Sequence, residues 1–256
     1  MKIGFIGVGK MARAIIKGLE KTEHELIISG SSLQRSQQIA KELHLAYAHS
    51  HQELIDQVDL VILGIKPQLM ETVLHSLTVT KPILSMAAGI TISRLSQLTS
   101  DTLPLIRIMP NINATILKST TAICTNHFVS EALLTTCLAL CNSFGQTFVI
   151  AEKDFDTFTA LAGSSPAYIY LFIEALTKAG VKHGLTKEQA LLIVTQTVLA
   201  SSQHLLEEEE QPHTMIDKIC SPGGTTIAGL LDLEKTGLTA SVVSSIDATI
   251  QKAKEL

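Results

Sequence analysis

The feature that most constrains the fold lies at the start of the chain, where an apolar segment runs into a glycine-rich turn. Residues Lys2–Ile6 are typical of a short buried strand, and a segment with helical spacing follows the turn. Gly7 permits a tight turn, Gly9 lets a ligand approach the backbone, and Ala12 lets the helix pack closely on the strand. The N-terminus of such a helix attracts phosphate, because its free N–H groups and its dipole favour anions. The pattern therefore predicts a dinucleotide-binding turn.

The first 150 residues repeat this order of short apolar segment and helical segment. The strand candidates are Lys2–Ile6, Glu25–Ser29, Leu60–Leu63, Pro82–Ser85, Leu105–Met109, Thr121–Cys124 and Thr147–Ile150. The helix candidates are Met11–Leu19, Ser36–Leu43, Gln68–Leu77 and Glu131–Phe144. Such alternation predicts parallel strands joined by crossover helices. We therefore expect an α/β domain at residues 1–150, with a doubly wound, Rossmann-like parallel sheet that binds a dinucleotide.

The pattern changes after Ile150, where helical spacing continues and convincing strands are absent. The predicted helices are Asp154–Leu161, Ala167–Ala179, Lys187–Leu206, Pro212–Ile219, Thr225–Lys235 and Leu238–Ala253. Residues 151–256 are therefore predicted to form an all-helical C-terminal domain. Its Lys187–Leu206 segment is apolar over much of its surface, which a domain of about a hundred residues is too small to bury alone. This segment predicts that subunits associate through the helical domain.

Composition and charge exclude several classes of function. The chain has 256 residues, of which 46% are hydrophobic and 17% charged, as in ordinary globular proteins. A net charge of −4 and the lack of a long basic stretch argue against nucleic acid or an anionic membrane as a partner. Glycines interrupt the apolar run at the N-terminus, and no apolar run approaches the length of a membrane span. We expect a cytoplasmic protein.

Cysteines and histidines show no pattern typical of a metal site. The four cysteines are Cys124, Cys137, Cys141 and Cys220. They lack CxxC spacing, and Cys137 and Cys141 would share one helix face that belongs to the core. His44, His49 and His51 lie close together in the sequence but lack partner ligands. We therefore predict no metal and reduced thiols.

The end of the second predicted strand indicates which dinucleotide binds. No acid occurs between Glu25 and Glu42, although NAD sites usually place one here for the ribose 2′-hydroxyl. Ser31, Ser32 and Arg35 stand there instead, and hydroxyls with a guanidinium suit a 2′-phosphate. The alternative is that Ser31 or Ser32 only caps a helix. The sequence favours NADPH, with NADH as the second choice.

Three further segments follow predicted strands, at the sheet edge where a cofactor would bind. They are Ile65-Lys66-Pro67-Gln68, Ala87-Ala88-Gly89-Ile90 and Arg107-Ile108-Met109-Pro110-Asn111. The small residues at 87–89 would let a flat nicotinamide ring lie against the backbone. Each segment taken alone also fits an ordinary turn after a strand.

A different turn, Ser221-Pro222-Gly223-Gly224, precedes a predicted helix that begins at Thr225. Its two glycines would expose backbone N–H groups beside the positive end of that helix, which makes an anion pocket. A flexible connector between two helices is the alternative.

Together these segments resemble the pyrroline-5-carboxylate reductase family over nearly the whole chain. The family's Gly-x-Gly-x-Met-Ala turn is matched at Gly7–Ala12, its Val-Lys-Pro-Gln at Ile65–Gln68 and its Ala-Ala-Gly-Ile at Ala87–Ile90. Its Ser-Pro-Gly-Gly-Thr-Thr signature stands intact at Ser221–Thr226.

The chain departs from the family pattern in three places. Ile112-Asn113 replace the Thr-Pro that usually follows Met-Pro-Asn. Ala162 and Ser165 replace a serine and a glycine of Ser-Gly-Ser-Gly-Pro. His51 stands where the family often has an asparagine that touches the adenosine ribose. The first two departures bear on loop flexibility and pocket shape, but they leave the signature loop untouched.

The resemblance implies reduction of 1-pyrroline-5-carboxylate to L-proline by hydride transfer from NADPH, the final step of proline biosynthesis. The Thr226 hydroxyl would lie near the ring nitrogen as the catalytic contact. The implied substrate-binding residues are Glu152, Ser221, Gly223, Gly224, Thr225 and Thr226. The implied cofactor-binding residues are Gly7, Gly9, Lys10, Met11, Ala12, Ser31, Ser32, Arg35, His51, Ile65, Lys66, Pro67, Ala87, Ala88 and Gly89. The resemblance also implies a homo-oligomer of dimers interlocked through the helical domain, often five dimers in a ring.

Two other functions also fit parts of the sequence. A β-hydroxyacid dehydrogenase has a similar turn and a helical second domain, but it needs a catalytic lysine four residues before an asparagine. Lys178 and Lys182 are followed at that spacing by Lys182 and Thr186, so neither fits. A non-catalytic NADP-binding scaffold would keep the cofactor turn and lack turnover of the imino acid.

Overall fold

The computed structural model describes residues 1–255, which fall into two compact units. The first comprises Met1–Gly163 together with the residues from Lys252 onward, and the second comprises Ser164–Gln251. The predicted boundary near residue 150 between a cofactor domain and a substrate domain stays a prediction, because compactness alone does not say which residues perform which function.

A single sheet forms the centre of the first unit. In the described part of the chain its strands are β1 (Lys2–Ile6), β2 (Glu25–Ser29), β3 (Ala46–Tyr47), β4 (Leu60–Leu63), β5 (Ile83–Ser85), β6 (Leu105–Met109), β7 (Ser119–Thr125) and β8 (Gly145–Val149). Their order across the sheet is β3-β2-β1-β4-β5-β6-β7-β8. The first six strands in this order are mutually parallel, so the predicted doubly wound sheet is confirmed.

The expectation of parallel strands throughout is wrong at β7. This strand runs antiparallel to β6, and β8 then runs parallel to β7. Only residues 110–118 join β6 to β7, and part of that connection is a 3₁₀ turn, Ile112–Ile116. A parallel connection needs a crossover of about a dozen residues or more, so this short link reverses the chain.

Seven α-helices accompany the sheet within the described residues of the first unit. They are α1 (Lys10–Leu19), α2 (Leu33–Leu43), α3 (His51–Gln57), α4 (Met70–Leu74), α5 (Ile92–Leu98), α6 (Glu131–Asn142) and α7 (Phe155–Phe158). The predicted helix Gln68–Leu77 is shorter than expected, because a 3₁₀ turn at Pro67–Leu69 precedes α4. Strand β3 and helices α3 and α5 escaped prediction, since two strand residues or two helical turns show little periodicity.

The core consists of two apolar layers, one on each face of the sheet. Ile3 and Phe5 point to the layer that α1, α2 and α6 cover, and Ile6 points to the layer that α3, α4 and α5 cover. Alternate residues of β1 are thus buried on both faces, as in parallel sheets generally. The glycine turn after β1 therefore emerges from a rigid centre.

From residue 150 to residue 255 the chain forms helices and no strand, as predicted. After α7, a π-helical segment at Thr159–Ser164 leads into the remaining helices. These are α8 (Ser165–Lys182), α9 (Lys187–Glu208), α10 (Pro212–Ile219), α11 (Thr225–Lys235) and α12 (Leu238–Ala253). Within residues 1–255, none of the helices combines the length and apolar composition that crossing a bilayer requires.

Candidate active site

A cavity of about 350 Å³ opens at the carboxyl edge of the sheet, among the turns that follow β1, β2 and β4. Its lining residues are Gly7, Val8, Gly9, Gly30, Ser31, Arg35, Ile39, His51, Gly64, Ile65, Leu69 and Val73. The connections from β1 and β4 lead to opposite sides of the sheet, and such switch points are where doubly wound folds bind nucleotides.

Two glycines bring the backbones of these turns together. Gly7 has φ +83°, and its N–H donates to the Ser29 carbonyl at 2.9 Å. A Cβ on Gly7 would lie 2.6 Å from Ile65 Cγ2, and one on Gly64 would overlap the Gly7 carbonyl oxygen. The sequence pattern identified Gly7 but not Gly64, because Gly64 lies outside the glycine-rich turn.

The start of α1 fits a pyrophosphate. Gly9 is its N-cap residue, no side chain caps this helix end, and its first turn holds no acid. A Cβ placed on Gly9 would have no atom within 4 Å, so the space in front of the first N–H groups is open. Ala12 is buried beside the turn, as the motif requires. The residues present therefore fit a dinucleotide phosphate.

The turn after β2 separates the roles of its two serines. Ser32 caps α2, since its Oγ accepts from the Arg35 N–H at 3.2 Å, whereas Ser31 lines the cavity. The Arg35 guanidinium donates to Gln38 Oε1 at 2.8 Å and faces the same cavity. Among the described residues that line it, none carries a carboxylate. This surface offers cationic and hydroxyl contacts to a ligand.

His51 completes this side of the cavity. It opens α3, and its Nδ1 lies 2.7 Å from Ser29 Oγ. Burial lowers the pKa of the His51 imidazole.

The other predicted cofactor residues lie along the same edge but outside this cavity. Lys66 is exposed before the 3₁₀ turn, while Gly89, at φ +75°, lines a second cavity. The full set outside the first cavity is Lys10, Met11, Ala12, Ser32, Lys66, Pro67, Ala87, Ala88 and Gly89.

The second cavity, of about 490 Å³, brings Glu152 next to Arg107. Glu152 Oε1 accepts from Arg107 Nη1 at 2.9 Å and from the Ile92 N–H at 2.7 Å. The Arg107 side chain is 8% exposed and lies over the Phe155 ring, 4.5 Å from its centroid. A buried guanidinium must be paired, so Glu152 neutralises Arg107 and holds the start of α5. Sequence reasoning assigned Glu152 to substrate and missed this pairing.

Asn111 joins three segments near this region. Its Nδ2 donates to the Ala162 carbonyl at 2.9 Å, and its Oδ1 accepts from the N–H groups of Asn113 and Thr120 at 3.2 and 3.3 Å. Pro166, four residues after Ala162, has no N–H to offer that carbonyl. The buried Asn111 amide supplies the missing donor.

In the second unit, the turn at residues 221–224 presents an open helix start. Gly223 has φ +69°, and the Gly224 N–H donates to the Ser221 carbonyl at 3.0 Å. Gly224 is the N-cap of α11, and no side chain caps this end. The first N–H groups of α11 therefore lack partners within the helix, and Thr225 and Thr226 are exposed beside them. The geometry suits a small anion.

The cysteines form no disulfide and belong to no metal-ligand cluster in the described part of the chain. Cys124, Cys137 and Cys141 are buried, Cys220 is half-buried, and all four are free. Burial raises the pKa of Cys124 and of Cys137 to about 12. Within residues 1–255, no three of the His, Cys, Asp and Glu side chains come close enough to hold a metal ion.

Comparison with known proteins shows which family has a similar sequence. Residues 152–256 match the family model for pyrroline-5-carboxylate reductase dimerisation, and residues 2–89 match that for NADP oxidoreductase, coenzyme F420-dependent. The pyrroline-5-carboxylate reductase of Aquifex aeolicus is 38% identical over 258 residues, which cover 100% of this chain and 97% of the relative. The chain belongs to the pyrroline-5-carboxylate reductase family.

Solved structures of reductases from this family have the same fold. That of the Streptococcus pyogenes enzyme superposes with a TM-score of 0.93 at 67% identity, covering 100% of this chain and 99% of the other. The Plasmodium falciparum reductase, solved with NADP bound, gives a TM-score of 0.87 at 30% identity, with 100% and 97% covered.

One departure from the reductase family pattern has a structural consequence. The family usually has proline at the position of Asn113, and a proline has no N–H. Here the Asn113 N–H donates to Asn111 Oδ1 at 3.2 Å. Asparagine at position 113 thus supplies Asn111 with a backbone donor that a proline there could not supply.

Proposed function

We propose that this chain reduces 1-pyrroline-5-carboxylate to L-proline with a hydride from NADPH, in the last step of proline biosynthesis. The observation that carries the proposal is membership of the reductase family over the whole length of the chain. The proposal also assigns cofactor binding to residues 1–150, and dimerisation and substrate binding to residues 151–256. Location in the cytoplasm stays a prediction.

The cofactor, when bound, supplies the hydride and leaves oxidised. On the proposed assignment, Gly7 and Gly9 admit the pyrophosphate to the start of α1, and Ser31 with Arg35 binds the 2′-phosphate. The open helix start, the lack of a carboxylate among the described lining residues, and the NADP-bound relative support NADPH. Residues 87–89 would form the surface for the nicotinamide ring.

The proposed substrate site uses the open start of α11. The N–H groups of Gly223–Thr226 would bind the carboxylate of the cyclic imino acid, and the Thr226 hydroxyl would donate to or accept from its ring nitrogen. A protonated imine accepts hydride readily, so these residues mainly have to orient it. Family resemblance implies that this loop of one subunit completes a site with the cofactor unit of another.

Replacement of Arg35 by alanine tests the cofactor assignment. Arg35→Ala should weaken NADPH binding by about 1.5–3 kcal/mol, roughly ten- to a hundredfold, because a charge-assisted contact to the 2′-phosphate is lost. NADH binding should barely change. Dissociation constants from nicotinamide fluorescence give both values, and Arg94→Ala removes an exposed arginine paired with Glu71 as a control. Equal losses for the two cofactors would make Arg35 a structural residue.

The outer stripe of α9 supports the proposed dimer. Leu192, Leu199 and Leu206 are 67%, 59% and 77% exposed in the single chain, and Ala190 is the buried residue of this helix. A spacing of seven residues places the three leucines on one stripe. Such exposed apolar surface marks an association site, and the match of residues 152–256 to a dimerisation model points to a second copy of this chain.

A charge on this stripe should break the assembly. Leu199→Glu is expected to give monomers with little loss of monomer stability, since the side chain is exposed in the single chain. Activity should fall with dissociation, because the shared site would be incomplete. Size-exclusion chromatography with light scattering, together with steady-state kinetics, measures both. Leu199→Met keeps an apolar side chain and should stay oligomeric, and a fully active Leu199→Glu monomer would refute the shared site.

A direct assay tests the reaction. The purified chain should oxidise NADPH with pyrroline-5-carboxylate and should not reduce NADP with a β-hydroxyacid. Turnover only in the second assay would favour a β-hydroxyacid dehydrogenase. Tight NADPH binding with no turnover in either would favour a scaffold.

A further inference from the structure

A titratable ring lies in the proposed cofactor cavity, and the proposed hydride transfer makes no use of it. His51 opens α3 and lines the cavity together with Ser31 and Arg35. Its Nδ1 lies 2.7 Å from the Oγ of Ser29, the last residue of β2, which is 1% exposed. A buried hydroxyl on the central sheet therefore fixes the orientation of the ring.

The same contact leaves the other ring nitrogen available. Within residues 1–255, Nε2 of His51 has no hydrogen-bond partner. A serine hydroxyl either donates or accepts, so Ser29 suits both a neutral and a protonated His51 ring. The imidazole is thus able to gain or lose a proton without leaving its place.

Charge around His51 is sparse on every element that packs near it. On β1 and β2 the charged residues are Lys2 and Glu25. They pair with each other at the first residue of each strand, the end farthest from Ser29. On α3, Glu53 pairs with His49, and Asp56 accepts from Gln52. Arg35 at the start of α2 shares the cavity. No carboxylate lines the cavity beside the half-buried His51 ring in the described part of the chain, and burial lowers the pKa of His51.

We propose that His51, oriented by Ser29, is a specificity-determining residue whose protonated form favours NADPH over NADH. The inference rests on the proposed function, since it takes the cavity as the NADPH site. The 2′-phosphate would bring to Arg35 and Ser31 the negative charge that His51 lacks in the free protein. The phosphate would therefore raise the imidazole pKa, whereas the 2′-hydroxyl of NADH would not.

Linkage gives the sign of the pH effect. If NADPH raises the pKa of His51, binding takes up a proton between the free and the bound pKa. NADPH affinity should then rise as pH falls through the bound pKa, and it should level off below the free pKa. The preference for NADPH over NADH should increase as the pH falls from 8, by at most about three- to tenfold once the pH lies below the free pKa of His51.

The experiment measures dissociation constants of NADPH and NADH by nicotinamide fluorescence between pH 5 and pH 8. The intact chain is compared with His51→Asn, and His49→Asn serves as the matched control because His49 is exposed and pairs with Glu53. The second ionisation of the 2′-phosphate falls in this range but acts equally on all three proteins. The increase in preference should appear in the intact chain and in His49→Asn, and it should be absent in His51→Asn.

Ring-proton NMR gives a readout that is independent of affinity. The His51 signal should titrate at higher pH with NADPH bound than with NADH bound. Identical pH profiles in the intact chain and His51→Asn, or an unchanged His51 titration, would overturn the inference while NADPH turnover still upheld the proposed function. A chain that binds no NADPH would overturn both.

Discussion

Gly224→Val is expected to lower kcat/KM for pyrroline-5-carboxylate by about a hundredfold or more while leaving NADPH affinity nearly unchanged. A Cβ at this position would overlap Ser221 Oγ and lie 3.1 Å from the Ser221 carbonyl oxygen. The larger valine side chain must therefore distort the turn or fill the space before α11. Either change removes the N–H groups that are proposed to bind the substrate carboxylate.

Steady-state kinetics and melting curves together separate this effect from unfolding. Thr226→Ala removes one hydroxyl without adding bulk, so its loss should be smaller, about 1–3 kcal/mol of transition-state stabilisation. Gly229→Ala, farther along α11 in open space, should behave like the intact chain. If residues 221–226 only connect two helices, Gly224→Val will lower the melting temperature but leave kcat/KM per folded molecule unchanged. That outcome would show that the substrate does not bind at this turn.

Asn111→Ala should destabilise the fold by about 3 kcal/mol or more, because three backbone groups lose their partner at once. Residue 166 is proline and offers the Ala162 carbonyl no N–H, and the N–H groups of Asn113 and Thr120 lose their acceptor. In a chain of this size the loss corresponds to a fall in melting temperature of roughly 6–12 °C. Thermal unfolding at fixed protein concentration measures it.

Two further variants serve as controls for the melting temperature of Asn111→Ala. Asn113→Ala keeps its backbone N–H, and its side chain makes no hydrogen bond within residues 1–255, so it should melt close to the intact chain. Asn111→Asp keeps both acceptor bonds but turns a carboxylate oxygen towards the Ala162 carbonyl. Its melting temperature should lie between those of Asn111→Ala and Asn113→Ala. Equal melting of the Asn111→Ala and Asn113→Ala proteins would show that the buried amide contributes little.

Much of the fold is predictable because the hydrophobic periodicity of each strand and helix is contained in a short segment of sequence. The alternation of apolar strands and helical segments predicted every strand except β3, together with the change to helices after residue 150. Helices α3 and α5 were missed because two turns carry little periodicity, although Ser50 and Thr91 stand before them as N-caps. The reversal at β7 depends on the length of the connection, which apolar patterning does not encode.

The site is less predictable, because its contacts join distant positions. The glycine turn after β1 identified Gly7 and Gly9, yet Gly64 acquires its role only once β4 lies beside β1. Similarly, nothing local indicates that Glu152 binds Arg107, 45 positions earlier in the chain. The proline at position 166 was a usable signal, since it has no N–H to offer the carbonyl four residues before it, which here accepts from Asn111.

The distribution of thiols determines where oxidants and alkylating reagents act on the folded chain. Reaction needs the thiolate, and burial keeps Cys124 and Cys137 protonated far above neutral pH, with pKa values of about 12. Cys141 is likewise buried, so Cys220 is the accessible sulfur among the described cysteines. Cys220 directly precedes Ser221. Thiol oxidation and thiol alkylation of the native chain are therefore both expected at the residue that precedes the turn proposed to hold the substrate.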